Sequence, residues 1–154
     1  FAPVWLMFLG SFVSCAGSTG GGIKMVRMVL LIKQARCELV RALHPRVVNP
    51  IIMGRAPIAA KVIASVMAYM LIYGATTIGL TMLMLISGLD IVTAFSAVVA
   101  TVNNIGPGLG QVGPASNFGV LTDFQTWICT LAMLMGRLEL LAVMVLFTPH
   151  FWRK

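Results

Sequence analysis

The strongest constraint on this chain is a run of 28 residues without a charge, residues 62–89. As an α-helix such a run is about 42 Å long, whereas the hydrocarbon core of a bilayer is only about 30 Å thick. Only 10% of the 154 residues are charged and the mean hydropathy is +0.97, while a soluble domain has about 25% charged residues. The sequence therefore predicts an all-α integral membrane protein and excludes a disordered chain.

The basic residues are concentrated in one part of the chain. Eight of the eleven Lys and Arg residues lie between positions 24 and 61, and two more, Arg153 and Lys154, end the sequence. A basic cluster can indicate nucleic-acid binding, but this one is sparse, contains no aromatic residue and lies between apolar runs. The positive-inside rule instead predicts a cytoplasmic loop and a cytoplasmic C-terminus, and we expect no nucleic-acid partner.

A second apolar run, residues 91–102, is too short to cross a bilayer, because 12 residues of helix cover only about 18 Å. Asp90 and Asp123 flank this run and the uncharged, Gly-, Pro- and Asn-rich residues 103–119. Residues 124–147 then form a full span of about 36 Å, with Thr122 and Gln125 as a capping box. No basic residue lies between the two aspartates, so we expect this segment to leave and return on the outer side of the membrane.

Such a re-entrant segment brings irregular backbone to membrane depth. Its N–H and C=O groups would be unpaired in hydrocarbon, and they are tolerated only where protein or a water-filled path supplies partners. A half-helix that ends near Thr101 places partial negative charge at the membrane centre, and loop carbonyls can then replace the hydration shell of a cation. The order span, short helix, loop, span is typical of a cation-channel pore loop; the alternative is an ordinary extracellular connection.

Four segments of the chain resemble one known family. They are ATVNNIGPGLG (residues 100–110), GSTGGGIK (residues 17–24), GRLELL (residues 136–141) and VLFTPHFWRK (residues 145–154). Together they resemble the C-terminal part of the TrkH-type potassium uptake transporters of the Trk/Ktr/HKT superfamily, over essentially the whole chain. The resemblance implies a channel-like transporter with four span–pore-helix–filter-loop–span repeats in one polypeptide around one pore.

The resemblance also divides the chain. Residues 1–45 would be the last transmembrane helix of the third repeat, interrupted by a Gly-rich intramembrane loop, and residues 46–56 a cytoplasmic loop. Residues 57–154 would form the complete fourth repeat, with a span at 57–89, a pore helix at 91–102, a filter loop at 103–119 and a second span at 122–150. The sequence opens at Phe1 without the charged start of a signal peptide, so we expect it to be the interior of a larger membrane protein.

The implied function is potassium uptake across the cytoplasmic (inner) membrane of a bacterium. Potassium would be coordinated by the backbone carbonyls of Asn103, Asn104, Ile105 and Gly106, with Asn104 and Ile105 at the bound ion and Gly106 as the filter glycine. Asn occupies the two positions after Val102, unlike the T-V-G-Y-G potassium filter. The sequence leaves open whether potassium or sodium is preferred.

A gate is the second implied site. It consists of a Gly-rich loop and an intramembrane arginine: Gly17, Ser18, Thr19, Gly20, Gly21, Gly22 and Arg137. The loop is similar to a nucleotide-binding P-loop in the spacing of Gly17 and Gly22, but Ile23 precedes Lys24 and no Ser or Thr follows. A helix kink is a further alternative. An arginine within an apolar run is costly and faces a cavity or a partner, so an interhelical salt bridge is the alternative role of Arg137.

The family resemblance implies several partners. They are a cytosolic nucleotide-binding regulatory ring, for which residues 24–61 are the expected docking surface, a second copy in a homodimer, and membrane lipid. The potassium ion is the only cofactor expected. The sequence contains no nucleophile–base set, carboxylate pair or metal-ligand spacing, so we do not expect an enzyme. The alternative function is an unrelated secondary transporter, whose discontinuous helices would also place irregular backbone at the membrane midplane.

Overall fold

The computed structural model describes residues 2–12, 22–44, 50–53 and 56–138. These ranges contain five α-helices, two short strands and two 3₁₀ turns. The helices are α1 (Ala2–Phe12), α2 (Met25–Leu43), α3 (Ala60–Ile86), α4 (Ile91–Val102) and α5 (Asp123–Arg137). The later part of the predicted span at 122–150 lies outside the described residues, which end at Leu138.

Helix α3 is the long apolar helix of the structure. Among the described helices it is the one whose length and hydropathy would allow it to cross a membrane. It ends at a glycine in the left-handed region, Gly88 (φ +92°). There the Leu89 N–H donates to the Met84 carbonyl (3.4 Å) and the Gly88 N–H to the Leu85 carbonyl (3.0 Å). These two bonds form a Schellman motif, which satisfies the last carbonyls of the helix.

Helix α4 is the most deeply buried helix of the described chain, although it is a short apolar run. The Asp90 carboxylate caps its first turn by accepting the Thr93 N–H at 3.2 Å. Ala94 and Ala97 are fully buried, and these small side chains allow the neighbouring helices to approach closely. Helices α3 and α5 pack on it around one apolar core of Leu80, Met84, Ala94, Ala97, Val98, Val102, Val112, Ile128, Cys129 and Ala132.

Helix α5 is attached to its neighbours at both ends. At its start, Gln125 Oε1 accepts the Thr122 N–H (2.9 Å), which is the return arm of the predicted capping box. The amide nitrogen of Gln125 donates to the Ser87 hydroxyl (2.8 Å), just beyond the end of α3. Near its end, Gly136 lies against the Val102 carbonyl, and a Cβ at this position would overlap the carbonyl oxygen. Only glycine therefore permits the observed crossing of α5 and the end of α4.

Helices α1 and α2 are joined across the ends of the Gly-rich segment. The Ile23 N–H donates to the Ser11 carbonyl at 3.3 Å. The residues before and after the Gly-rich segment are therefore in direct contact. Helix α2 then packs on α3 through a small buried cluster of Leu30, Cys37, Ile51 and Val66.

The predicted cytoplasmic loop at 46–56 overlaps a short strand pair that sequence reasoning missed. Strands β1 (Ile52–Met53) and β2 (Ala56–Pro57) are antiparallel, with Ile52 opposite Pro57. Two residues, including Gly54, separate the strands in the sequence, a length typical of tight hairpins. The Lys33 ammonium donates to the Ile52 carbonyl at 2.6 Å, which attaches the hairpin to α2.

The close approach at Gly136 leads to a first prediction. Gly136→Ala should lower the stability of the purified full-length protein by about 1–3 kcal/mol, the usual cost of an overpacked contact, because the methyl group meets backbone that cannot move aside. The control is Gly79→Ala on α3, where a Cβ meets no atom within 4 Å and helix propensity favours alanine. Thermal unfolding in detergent measures both variants, and an equal fall in Tm for the two would contradict the close approach.

Candidate functional site

The backbone turns sharply where α4 ends. Asn104 has φ +53°, a left-handed conformation that asparagine adopts more readily than most side chains. The Ile105 N–H donates to the Ala100 carbonyl (2.9 Å), and the Asn104 N–H donates to the Thr101 carbonyl (3.1 Å). These bonds form a second Schellman motif, with asparagine in place of the usual glycine. The Ala100 and Thr101 carbonyls therefore already accept hydrogen bonds. The sequence predicted free carbonyls near Thr101, but in the described structure they begin one residue later, at Val102.

The next five carbonyls along the chain differ from those of the helix end in their hydrogen bonding. Among the described residues, no hydrogen-bond donor reaches the backbone oxygens of Val102, Asn103, Asn104, Ile105 and Gly106. Gly106 has φ +116°, a conformation that only glycine adopts without strain. The four residues predicted to coordinate potassium thus form one continuous stretch of carbonyls that accept no hydrogen bond from the described part of the chain. Oxygen ligands of this kind suit a hard, singly charged cation.

The return limb of the loop is held against α4 by two hydroxyl groups. Ser96 Oγ accepts the Leu109 N–H at 2.8 Å, and Thr93 Oγ1 accepts the Gln111 N–H at 3.3 Å. Gly108 lies close to the Ser96 hydroxyl, where a Cβ would be 3.3 Å away. Sequence reasoning missed both hydroxyls. Their spacing of three residues on one helix face, opposite a turn-rich loop, is the pattern that could have indicated them.

The side chain of Asn103 is buried, with 5% of its surface exposed, and it contacts three helices. Its amide nitrogen donates to the Val99 carbonyl of α4 (2.9 Å) and to the Ser11 hydroxyl of α1 (3.2 Å). Its amide oxygen accepts the Tyr73 hydroxyl of α3 at 3.0 Å. The sequence predicted a role for the Asn103 carbonyl and none for its carboxamide.

Gly22 is the one residue of the predicted gate loop that the structure describes, since Gly17, Ser18, Thr19, Gly20 and Gly21 lie outside the described residues. It lies against the Asn103 carboxamide, and a Cβ at Gly22 would overlap the amide oxygen. Its carbonyl accepts the Tyr69 hydroxyl at 3.2 Å, and the Arg27 guanidinium lies 3.9 Å from the centre of the Tyr69 ring. The end of the Gly-rich segment is therefore adjacent to the start of the candidate filter.

Arg137 is the last residue of α5 and is exposed. It follows Gly136, which contacts the Val102 carbonyl, so Arg137 lies at the depth at which α4 ends. Its side chain makes no hydrogen bond or ion pair to any described residue. The backbone of Arg137 therefore lies one residue from the contact of α5 with the end of α4, and the partner of the alternative salt bridge is not among the described residues.

Other ligand chemistry is scarce in the described part of the chain. Residues 2–12, 22–44, 50–53 and 56–138 contain no group of three or more His, Cys, Asp or Glu side chains that could hold a metal ion. Cys37 and Cys129 are both buried. Backbone carbonyls are therefore the ligand set that the described site offers.

Comparisons with known proteins relate this loop and fold to one family. The family model described as TrkH, cation transport protein, matches residues 2–154. The Trk system potassium uptake protein TrkH of Escherichia coli (strain K12) is 42% identical over 154 residues, which make up 100% of this chain and 32% of that protein. The Trk system potassium uptake protein TrkG of the same strain is 37% identical over 150 residues, 97% of this chain and 30% of that protein.

A solved structure has the same fold. The crystal structure of the potassium transporter TrkH from Vibrio parahaemolyticus matches with a TM-score of 0.90 and 42% identity, covering 98% of this chain and 32% of that one. The chain thus spans about a third of the length of the relatives it matches. The predicted all-α integral membrane fold and the predicted location in the bacterial inner membrane are confirmed. With a family match along its whole length and a common fold, this chain belongs to the TrkH family of cation transport proteins.

Proposed function

We propose that this chain forms part of a potassium uptake pore, in which the carbonyls of residues 103–106 coordinate the ion. The observation that carries this proposal is the stretch of carbonyl oxygens after α4 that no described donor reaches. In a membrane protein such groups need a partner, and a permeant cation is one. The relatives' names, Trk system potassium uptake proteins, support potassium as the transported ion.

The geometry of the turn supports the proposed filter roles. Asn104 and Ile105 lie at the apex of the second Schellman motif, and we assign their carbonyls to the bound ion. The carbonyls of Asn103 and Gly106 flank them. Gly106 is the filter glycine, because its φ of +116° orients a carbonyl in a way that a residue with a Cβ resists.

The pore needs more than this chain. We propose four span–pore-helix–filter-loop–span repeats around one path, of which residues 57–154 are one, since a single loop cannot surround an ion. The term "Trk system" in the relatives' names supports a partner protein, which we propose to be a cytosolic nucleotide-binding ring that docks on residues 24–61. We further propose that the full-length protein is a homodimer in contact with membrane lipid. We propose no nucleic-acid partner. Membership of the TrkH family favours this pore over an unrelated secondary transporter.

The proposed gate combines the Gly-rich loop with Arg137. The described residues on either side of the loop, Ser11 and Ile23, are hydrogen-bonded to each other, and Ser11 also contacts the Asn103 side chain. Arg137 lies at the same depth, next to the contact of Gly136 with Val102. At 4–6 Å, a guanidinium and a permeating cation repel by roughly 3–4 kcal/mol at an effective dielectric of 20. Passage is then slowed by a few hundred-fold.

The topology can be tested with single cysteines. In a cysteine-free full-length protein, Asp123→Cys should react with an impermeant thiol reagent from outside intact cells, whereas Glu38→Cys and Lys154→Cys should react only after permeabilisation. Asp90 is left unchanged, because its carboxylate caps α4 and its loss would weaken the helix. Labelling of Lys154→Cys from outside, or protection of Asp123→Cys, would invert the proposed orientation.

The filter can be tested with Gly106→Ser. A serine at φ +116° strains the backbone and turns the carbonyl, so the ratio of sodium to rubidium uptake should change by several-fold. The control is Gly88→Ser, because Gly88 also has a positive φ and a Cβ at either glycine meets no atom within 4 Å. This control should lower Tm and leave the ion ratio unchanged. An unaltered ratio in Gly106→Ser would remove Gly106 from the filter.

The gate can be tested with Arg137→Ala and with deletion of residues 17–21. Both should raise basal ion flux per folded molecule in proteoliposomes, because the repulsive charge or its supporting loop is lost. Arg137→Lys keeps the charge and should keep the flux low. If Arg137 instead completes a buried ion pair, Arg137→Ala costs about 3–5 kcal/mol of stability and reduces the folded amount. Flux that is unchanged or lower in both the alanine and the deletion variants contradicts the gate.

A further inference from the structure

The buried carboxamide of Asn103 lies between the candidate filter and the surrounding helices. We call it and its hydrogen-bond partners the Asn103 junction, which consists of Ser11, Tyr73, Val99 and Asn103. The residues of the junction come from α1, α3 and the end of α4. The bond between Asn103 and Ser11 joins positions 92 residues apart in the sequence.

The orientation of the carboxamide is determined by its partners. The Val99 carbonyl can only accept, so the atom facing it must be the amide nitrogen. The Ser11 hydroxyl donates its own hydrogen to the Met7 carbonyl at 3.0 Å, and it therefore accepts from the same nitrogen. Tyr73 is then left to donate to the amide oxygen. Both N–H groups and the oxygen of the carboxamide are thus satisfied in a buried site, where a fully satisfied network is rigid.

The rigidity of this side chain matters because of its position in the backbone. Asn103 is the C-cap of α4, directly before the left-handed residue Asn104. A rotation of the Asn103 backbone would turn the peptide planes of the residues that follow, and with them the proposed ligand carbonyls. The three hydrogen bonds of the carboxamide oppose that rotation from α1, α3 and α4.

We propose that the Asn103 side chain is a positioning residue for ion discrimination: the Asn103 junction holds the first filter carbonyls in the orientation that distinguishes potassium from sodium. This inference rests on the proposed potassium uptake function. The carboxamide itself does not contact the ion. It acts through the backbone, and its partners Tyr73 and Ser11 act through it.

The chain offers a matched pair of tyrosines for the test. Tyr69 and Tyr73 lie one turn apart on α3 with their rings stacked, 6.4 Å between centroids. The Tyr73 hydroxyl donates to Asn103, whereas the Tyr69 hydroxyl donates to the Gly22 carbonyl. Tyr73→Phe and Tyr69→Phe therefore remove the same atom from neighbouring places, and only the first releases the carboxamide.

The experiment measures initial rates and KM for potassium, rubidium and sodium uptake by the full-length protein in proteoliposomes, at equal amounts of folded protein. Tyr73→Phe should raise the sodium-to-potassium ratio of Vmax/KM by about two- to tenfold, the range expected for one lost hydrogen bond. Ser11→Ala, which removes a second partner of the carboxamide, should shift the ratio in the same direction. Tyr69→Phe should leave the ratio at the wild-type value.

The outcomes separate this inference from the proposed function. An unchanged ratio in both Tyr73→Phe and Ser11→Ala, with potassium uptake intact in the wild type, overturns the positioning role alone. An equal shift in Tyr69→Phe also overturns it, since a general loosening of α3 would then be the cause. A wild-type protein without saturable potassium uptake overturns the proposed function, and the positioning role with it.

Discussion

A peptide carbonyl in the membrane interior needs a hydrogen-bond donor or a cation, and much of this structure depends on that requirement. Helix α3 meets it internally and satisfies its last carbonyls with a Schellman motif at Gly88. Helix α4 satisfies its own last turn in the same way at Asn104. The carbonyls of residues 103–106 lie in the irregular backbone around Asn104, and no described residue donates a hydrogen bond to them. Coordination of a permeating ion at these oxygens would supply what the protein does not.

The surroundings of the loop are arranged to keep it in place. Small side chains on α4 let α3 and α5 approach closely, and Gly136 allows α5 to touch the Val102 carbonyl. On the other side, the hydroxyls of Ser96 and Thr93 hold the return limb. The proposed filter is thus supported by packing on one side and by hydrogen bonds on the other. Such support is what a site needs if its carbonyls are to remain in one geometry without an ion.

Much of the architecture could be predicted from local properties of the sequence. The length of residues 62–89 identified the long helix, and the short apolar run at 91–102, which follows Asp90, has the bounds of α4. The capping box at Thr122 was evident from the spacing of two residues. These features depend on residues that are close in the sequence, where periodicity and capping rules apply.

The features that sequence reasoning missed join distant residues. The hydrogen bond from Asn103 to Ser11 and the contact of Gly136 with Val102 depend on how helices pack, and no spacing rule indicates them. The second Schellman motif was missed for another reason, since its left-handed residue is an asparagine and not a glycine. The Gly17–Gly21 part of the predicted gate lies outside the described residues, so the gate stays a prediction.

The most direct measurement is the location of the ion itself. Crystals of the full-length protein grown with rubidium in place of potassium can be measured at the rubidium absorption edge, where anomalous scattering identifies the ion without ambiguity. We expect the strongest anomalous peak within coordination distance of the carbonyl oxygens of Asn104 and Ile105. A peak elsewhere, with the carbonyls of residues 103–106 hydrogen-bonded to protein donors from other parts of the full-length chain, would contradict the proposed filter.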